Sequence, residues 1–153
     1  MLQKTKQHSY FNLVTHGSWY RIATLAIDDT ATLFTLSEIY AGNRYNVNPP
    51  TISGIQVIYT PNKKKLVKII GVSSEGSYIV NCKYRLYCDN NKAYIDIFGG
   101  GSSGGNGLDV FIHNIVNPTN NKNWNAVTPA KVVTNLDESI YTLLDEITVT
   151  ADY

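Results

Sequence analysis

The chain has 153 residues, 43% of them hydrophobic and 16% charged, with a formal net charge of +1. That length fits one domain able to bury roughly 70% of its unfolded surface, and the near-neutral charge gives no long-range field toward DNA, RNA or an anionic membrane. Charged residues fall short of the usual ~25%, so the polar surface comes from Asn, Thr, Ser and eleven tyrosines, a mixture that favours β structure and wet contacts with sugars or proteins.

Residues 1–17 are polar and weakly periodic, and read as a connector or an edge segment entering the domain. Their MLQKTKQHSYFNL run lacks the roughly 7 to 15 consecutive apolar residues of a signal peptide. The chain holds no stretch that reads as a membrane span. From Gly17 to Tyr40 the pattern is that of two strands around a polar Asp28-Asp29-Thr30 turn, hence a hairpin. Strict alternation puts Trp19, Arg21, Ala23, Leu25 and Ile27 on one face and Tyr20, Ile22, Thr24 and Ala26 on the other. Both faces are largely apolar, which predicts cover on both sides, by a second sheet and by a neighbouring subunit.

The run Ser18-Trp19-Tyr20-Arg21-Ile22-Ala23, followed after the turn by Leu33-Phe34-Thr35-Leu36, resembles the opening hairpin of the receptor-binding tip domains at the C-termini of bacteriophage tail fibres. The motif covers about a tenth of the chain and is a packing signature without chemistry of its own. The resemblance implies a compact antiparallel β-domain that trimerises at the distal end of a fibre. It also implies a protein made in the bacterial cytoplasm, carried on the virion and attached to the rest of the tail fibre.

Gly42 to Ser53 is dense in Asn, Gly and Pro, and neither Pro49 nor Pro50 has an N–H for a ladder, so a long surface loop is expected. Strands follow at Gly54–Thr60, Leu66–Ser73 and Tyr78–Cys88, joined by turns at Pro61-Asn62-Lys63 and Ser74-Glu75-Gly76-Ser77. Lys63-Lys64-Lys65 reads as a solvated turn, being too short a basic cluster to mark a nucleic-acid site. The run from Val80 to Cys88 alternates most clearly, with Val80, Cys82, Tyr84, Leu86 and Cys88 on one face. If that run is one strand, Cys82 and Cys88 stand roughly 20 Å apart, beyond the ~7 Å limit for a disulfide, and both are expected as free thiols.

After an Asp89-Asn90-Asn91 turn, Lys92–Phe98 and Leu108–Val116 are further strands. The GGGSSGGNG between them contains a GxGxxG at Gly99, Gly101 and Gly104. A dinucleotide site needs those glycines to open a helix, and here a strand follows, so a loop is expected whose bare backbone allows close approach of a glycan or another subunit. Asn117–Thr128 reads as loop, and Trp124 within it is either tucked against the core edge or exposed as a platform for a sugar ring. Ile140, Leu143, Leu144 and Ile147 recur at helical spacing behind a candidate N-cap at Asn135 with Glu138 three residues on, so 135–147 reads as a short helix or as strand. Glu146–Ala151 is the expected closing strand.

Chemistry is sparse. The pairs Asp28-Asp29, Asp137-Glu138 and Asp145-Glu146 sit in turns or near element ends, where carboxylates serve local hydrogen bonding. There is no GxSxG and no clustered metal-ligand spacing, so neither an enzyme nor a cofactor is expected. His113 shares a strand face with Asp109 and Phe111, and in a trimer its imidazole would be repeated about the threefold axis, where it could ligate a metal. Regular short strands separated by turns predict an all-β, antiparallel, jelly-roll-like sandwich over 18–153, homotrimeric, behind a 1–17 connector. On that reading the domain binds a host surface receptor, a polysaccharide or protein, through loops, with Tyr45 and Trp124 stacking on sugar faces and Asn46, Asn120 and Asn121 bonding hydroxyls. A polysaccharide-cleaving module and a purely structural trimerisation module are the alternatives.

Overall fold

The computed structural model describes residues 8–13, 18–27, 35–43, 52–72, 82–98, 108–115, 123–133 and 135–150. In chain order their strands are β1 (His8–Leu13), β2 (Trp19–Ala26), β3 (Thr35–Asn43), β4 (Ile52–Tyr59), β5 (Lys64–Val72), β6 (Cys82–Cys88), β7 (Lys92–Phe98), β8 (Leu108–Ile115), β9 (Asn125–Val132) and β10 (Thr142–Val149). They form two five-stranded antiparallel sheets, sheet A in the order β1-β8-β3-β4-β5 and sheet B in the order β10-β6-β7-β2-β9. The expected all-β sandwich is therefore what the chain adopts, and no helix occurs among the described residues.

The core lies between the sheets. Ile39, Ile55, Val57, Val110 and Ile112 face it from sheet A, and Leu25, Tyr84, Leu86, Ile95 and Ile97 from sheet B. Burying such side chains is worth roughly 1.5–3 kcal/mol each. One polar bridge crosses it, where the Ser53 and Tyr84 hydroxyls meet at 2.7 Å. Cys82 is wholly buried beside them, burial pushing its thiol up to about 11, and both cysteines are free, as expected.

The β2 alternation breaks at one residue. Arg21 pairs with Asp96 and Ala23 with Ile95, so Ile22 is an extra residue, a β-bulge. Trp19 and Arg21 face outward before the bulge, while Ala23 and Leu25 face the core after it, and Ile22 is itself fully buried. This is why both faces of the sequence look apolar, and it corrects the strict-alternation faces. The expected β2–β3 hairpin is also corrected. β2 is hydrogen-bonded on its two sides to β7 and β9, and β3 to β4 and β8, so the two consecutive strands lie in different sheets with no edge left for each other.

Further elements differ from expectation. His8–Leu13, read as part of a connector or an edge segment, is the edge strand of sheet A, antiparallel to β8. β9 begins at Asn125, inside the expected Asn117–Thr128 loop; Pro129 sits in it, which an edge strand tolerates, and Val127 to Ala130 loop out of register opposite Ile22. Thr142–Val149 is strand, which corrects the helix reading. A second bulge at Leu144 shifts the pattern by one residue, so that Leu143 faces solvent at 48% exposure while Ile147 and Val149 pack inward. That shift mimics helical spacing in the sequence.

Two turns are as expected. Thr60 and Lys63 close the β4–β5 turn through Thr60 N–H to Lys63 O at 2.8 Å. In the β6–β7 turn, one Asp89 oxygen accepts the Asn91 and Lys92 amides at 2.8 and 2.7 Å and the other accepts the Tyr94 hydroxyl at 2.6 Å. Where edge strands β5 and β10 approach, Asp145 accepts the backbone amide of Leu66 at 2.8 Å, satisfying an edge donor. At the far end of β5 a methyl group on Gly71 would overlap the carbonyl oxygen of Thr150.

Gly71→Ala therefore forces two backbones apart, and urea unfolding is expected to show a loss of about 1–3 kcal/mol. For Asp89, burial raises the carboxyl but the Tyr94 hydroxyl and the two amides outweigh it and hold it below the ordinary carboxylate value. A depressed folded value means that its stabilisation is complete above about pH 4 and is lost as pH falls through that lower value. Asp89→Ala is expected to be ~1 kcal/mol less stable than the parent at neutral pH, with the gap closing on acidification toward pH 2; a gap that stays constant with pH would contradict this.

Candidate functional site

The bulge at Ile22 gives sheet B an outward face rich in rings and charges. Arg21 on β2 donates from Nε to Asp96 Oδ1 at 2.9 Å and from Nη2 to Asp96 Oδ2 at 3.2 Å, a two-pronged bond between side chains only 8% and 1% exposed. The guanidinium lies 3.9 Å from the Tyr94 ring centre and 5.3 Å from that of Tyr141. The two rings meet edge-on, 5.8 Å apart. Burial raises the Asp96 carboxyl above its ordinary range, against the pull of Arg21 and Arg85.

Beside this pair runs a second strip. Arg85 on β6 donates from Nε to Glu146 on β10 at 2.7 Å and stacks 3.9 Å above the Trp19 ring, which tilts against Phe98 at 5.4 Å. Arg85 is about one-third exposed, and its bond to Glu146 engages Nε, so that its terminal amino groups are not used in that bond. Cation–π contacts of this kind contribute about 0.5–2 kcal/mol. They also fix the guanidinium in place.

Val133 and residues 135–141 rise beside the face. The Val133 amide bonds to the Trp19 carbonyl at 2.9 Å, and Asp137 closes a turn by accepting the Ile140 and Tyr141 amides at 2.9 and 3.0 Å. Its carboxylate, held below the ordinary range by hydrogen bonds from Ser139, accepts both the Ser139 amide and hydroxyl. Two cavities result. One, of about 510 Å³, lies over Arg85, Tyr87, Asp96, Asn135, Glu138 and Tyr141; the other, of about 640 Å³, lies over Arg21, Thr24, Tyr94, Lys131, Asp137 and Tyr141.

Of the two readings of Trp124, the structure bears out the tucked one and overturns the stacking platform: the residue is 1% exposed, its ring set edge-on to Tyr59 at 6.3 Å. Buried Asn114 holds it there, donating to the Trp124 carbonyl at 2.8 Å, accepting the Trp124 amide at 3.0 Å and accepting the Ser37 hydroxyl at 2.8 Å. Tyr45, Asn46, Asn120 and Asn121 lie outside the described residues, as does the loop 99–107. His113 stands on the outer face of sheet A with Nδ1 3.5 Å from Glu38 Oε1, and no group of three or more metal-ligating side chains occurs among the described residues.

None of Arg21, Asp96, Arg85 or Tyr141 was singled out from the sequence for binding. A signal was present: Arg21 in WYRIATLA and Asp96 in the AYIDIF that follows Lys92 are opposite charges set inside otherwise uncharged, largely apolar runs, the mark of a buried pair. No family model, no curated protein and no solved structure matches this chain.

Because the pair is buried, removing one partner strands a charge. Arg21→Met is expected to cost about 3–5 kcal/mol in chemical denaturation, and Arg21→Met with Asp96→Leu to recover most of it. A loss in the double variant equal to the sum of the losses in Arg21→Met and Asp96→Leu alone would show that the pair is not energetically coupled.

Proposed function

We propose that this chain is the receptor-binding tip of a bacteriophage tail fibre, which mediates adsorption by holding a polysaccharide of the host surface. The observation that carries the reading is the 510 Å³ cavity, where tyrosine rings, a guanidinium with spare donors, an amide and carboxylates converge on one space. Rings suit the apolar faces of sugars, and fixed donors and acceptors suit their hydroxyls. Binding rather than hydrolysis is the favoured activity, since Asp96 is already committed to Arg21 and lies almost fully buried.

The jelly-roll-like reading is supported by two nested antiparallel pairs, β1 with β8 in sheet A and β2 with β7 in sheet B. Its next rung would pair β3 with β6, but β3 pairs β4 and β8 instead, so the winding is partial. For the homotrimer, the β2 argument lapses, because Arg21 is covered by residues of its own chain. Support comes instead from the outer face of sheet A, where Phe111, Val67 and Ile69 are each more than 40% exposed.

The test is adsorption of purified protein, at its measured oligomeric mass, to a panel of intact bacteria and to their isolated surface polysaccharides. Saturable binding that free polysaccharide competes away, without release of oligosaccharides, is expected. Released products would favour the polysaccharide-cleaving alternative. A trimer that adsorbs to no cell would favour the purely structural one.

A further inference from the structure

The two cavities of sheet B adjoin. Both are walled by Val133, Asn135, Leu136 and Tyr141, and of these Tyr141 carries the one aromatic ring that both share. Each volume falls in the ~300–1,000 Å³ range of small-molecule sites. Tyr141 is braced from beneath by Tyr94 and by the Arg21 guanidinium, which fixes the ring rather than leaving it to swing. A ligand held in one cavity and continued across this ring meets the second set of polar groups, Lys131, Thr24 and Asp137.

The charges around this double groove lean acidic by one, with Arg21, Arg85 and Lys131 against Asp96, Asp137, Glu138 and Glu146. Each guanidinium already holds a carboxylate, Arg21 that of Asp96 and Arg85 that of Glu146. An incoming acidic sugar would have to displace a resident carboxylate while facing Glu138, which costs more than it returns. A neutral sugar hydroxyl meets no such conflict. It donates to the spare lone pairs of a carboxylate and accepts from the terminal amino groups of Arg85.

We infer that the outer face of sheet B binds an uncharged oligosaccharide of at least two rings, laid across Tyr141 with one part in each cavity. This rests on the receptor-binding reading and gives it a place and a ligand class. The site is built on strands and one hydrogen-bonded turn, not on the Asn-rich loops.

The experiment uses the full chain on an array of immobilised neutral and acidic oligosaccharides of one to six rings. Wild type is compared with Tyr141→Ala and with Asn135→Ala, an exposed position whose loss leaves folding intact, and melting is measured for all three. Retention of neutral glycans is expected, with two or more rings bound at least tenfold better than one. Tyr141→Ala is expected to remove that gain, and Asn135→Ala to weaken binding severalfold at an unchanged melting temperature. The proposal is overturned if the retained glycans are all acidic, if one ring binds as well as a chain, if no glycan is retained, or if both variants bind like wild type. Cell adsorption separates the two failures. Wild type and variants that adsorb equally to bacteria keep the receptor reading and remove this site, whereas wild type that adsorbs to no bacterium removes the reading itself.

Discussion

An almost fully buried Arg21–Asp96 pair lies on the side of sheet B that faces away from the core. A two-layer sandwich leaves such a face to water, where a lone ion pair contributes little. Here the tyrosines of β7 and of the 135–141 segment enclose it, and enclosure changes the energetics: each ion is costly by itself and tolerable only with the other. The pair thereby demands three things at once. The bulge at Ile22 must turn Arg21 outward, β7 must stand next to β2 in a single register, and the chain after β9 must return over the face. The cavities on either side of Tyr141 follow from that return.

Other polar groups fix the fold in a similar way where apolar packing alone leaves choices open. Asn114 of β8 acts as a surrogate strand partner for the backbone of Trp124, and so ties the start of β9 in sheet B to sheet A. Ser53 and Tyr84 tie the sheets through the core, and Asp145 ties the edges of β5 and β10. A slip of one residue in any of these strands would leave a buried donor or acceptor without its partner, at a cost of about 1–3 kcal/mol. Hydrophobic burial supplies most of the stability, and these bonds select one register from many of similar apolar content.

What the sequence made legible follows the same division. Lys92–Phe98 was bounded to the residue, because it alternates cleanly between two turns, and the buried side of Cys82–Cys88 was legible for the same reason. Two features were hidden. The bulges at Ile22 and Leu144 shift the period without a glycine or turn residue to announce them, which made β2 look two-sided and β10 look helical. Strand order was hidden too. The partner of β2 is β7, some 75 residues away for Arg21 and Asp96, and local turn chemistry favoured the false neighbour β3. The proposed surface on sheet B was not sought there, because attention to Asn-rich loops assumes that a scaffold carries its site at its ends.

On physical grounds the sheet face is favoured over the loops as the place for such a site. A loop residue must lose conformational freedom when it grips a ligand, whereas Arg85, held between Glu146 and the Trp19 ring, and Tyr141, braced by Tyr94 and Arg21, have lost it already on folding. Sugars offer weak individual contacts in competition with water, so a site for them depends on groups fixed in advance more than on any single strong bond. The rigid side of a sandwich is then the better place for such a site, provided that something prevents its polar groups from simply pairing with one another. Opposed pairs do pair here, and the surplus decides what remains for a ligand: the spare donors of Arg85, the amide of Asn135, the carboxylate of Glu138 and the open faces of tyrosine rings. With Arg85 already paired to Glu146, those groups offer no spare cation to an acidic ligand, and on the proposed reading they suit a neutral, many-hydroxyl partner better than an anionic one.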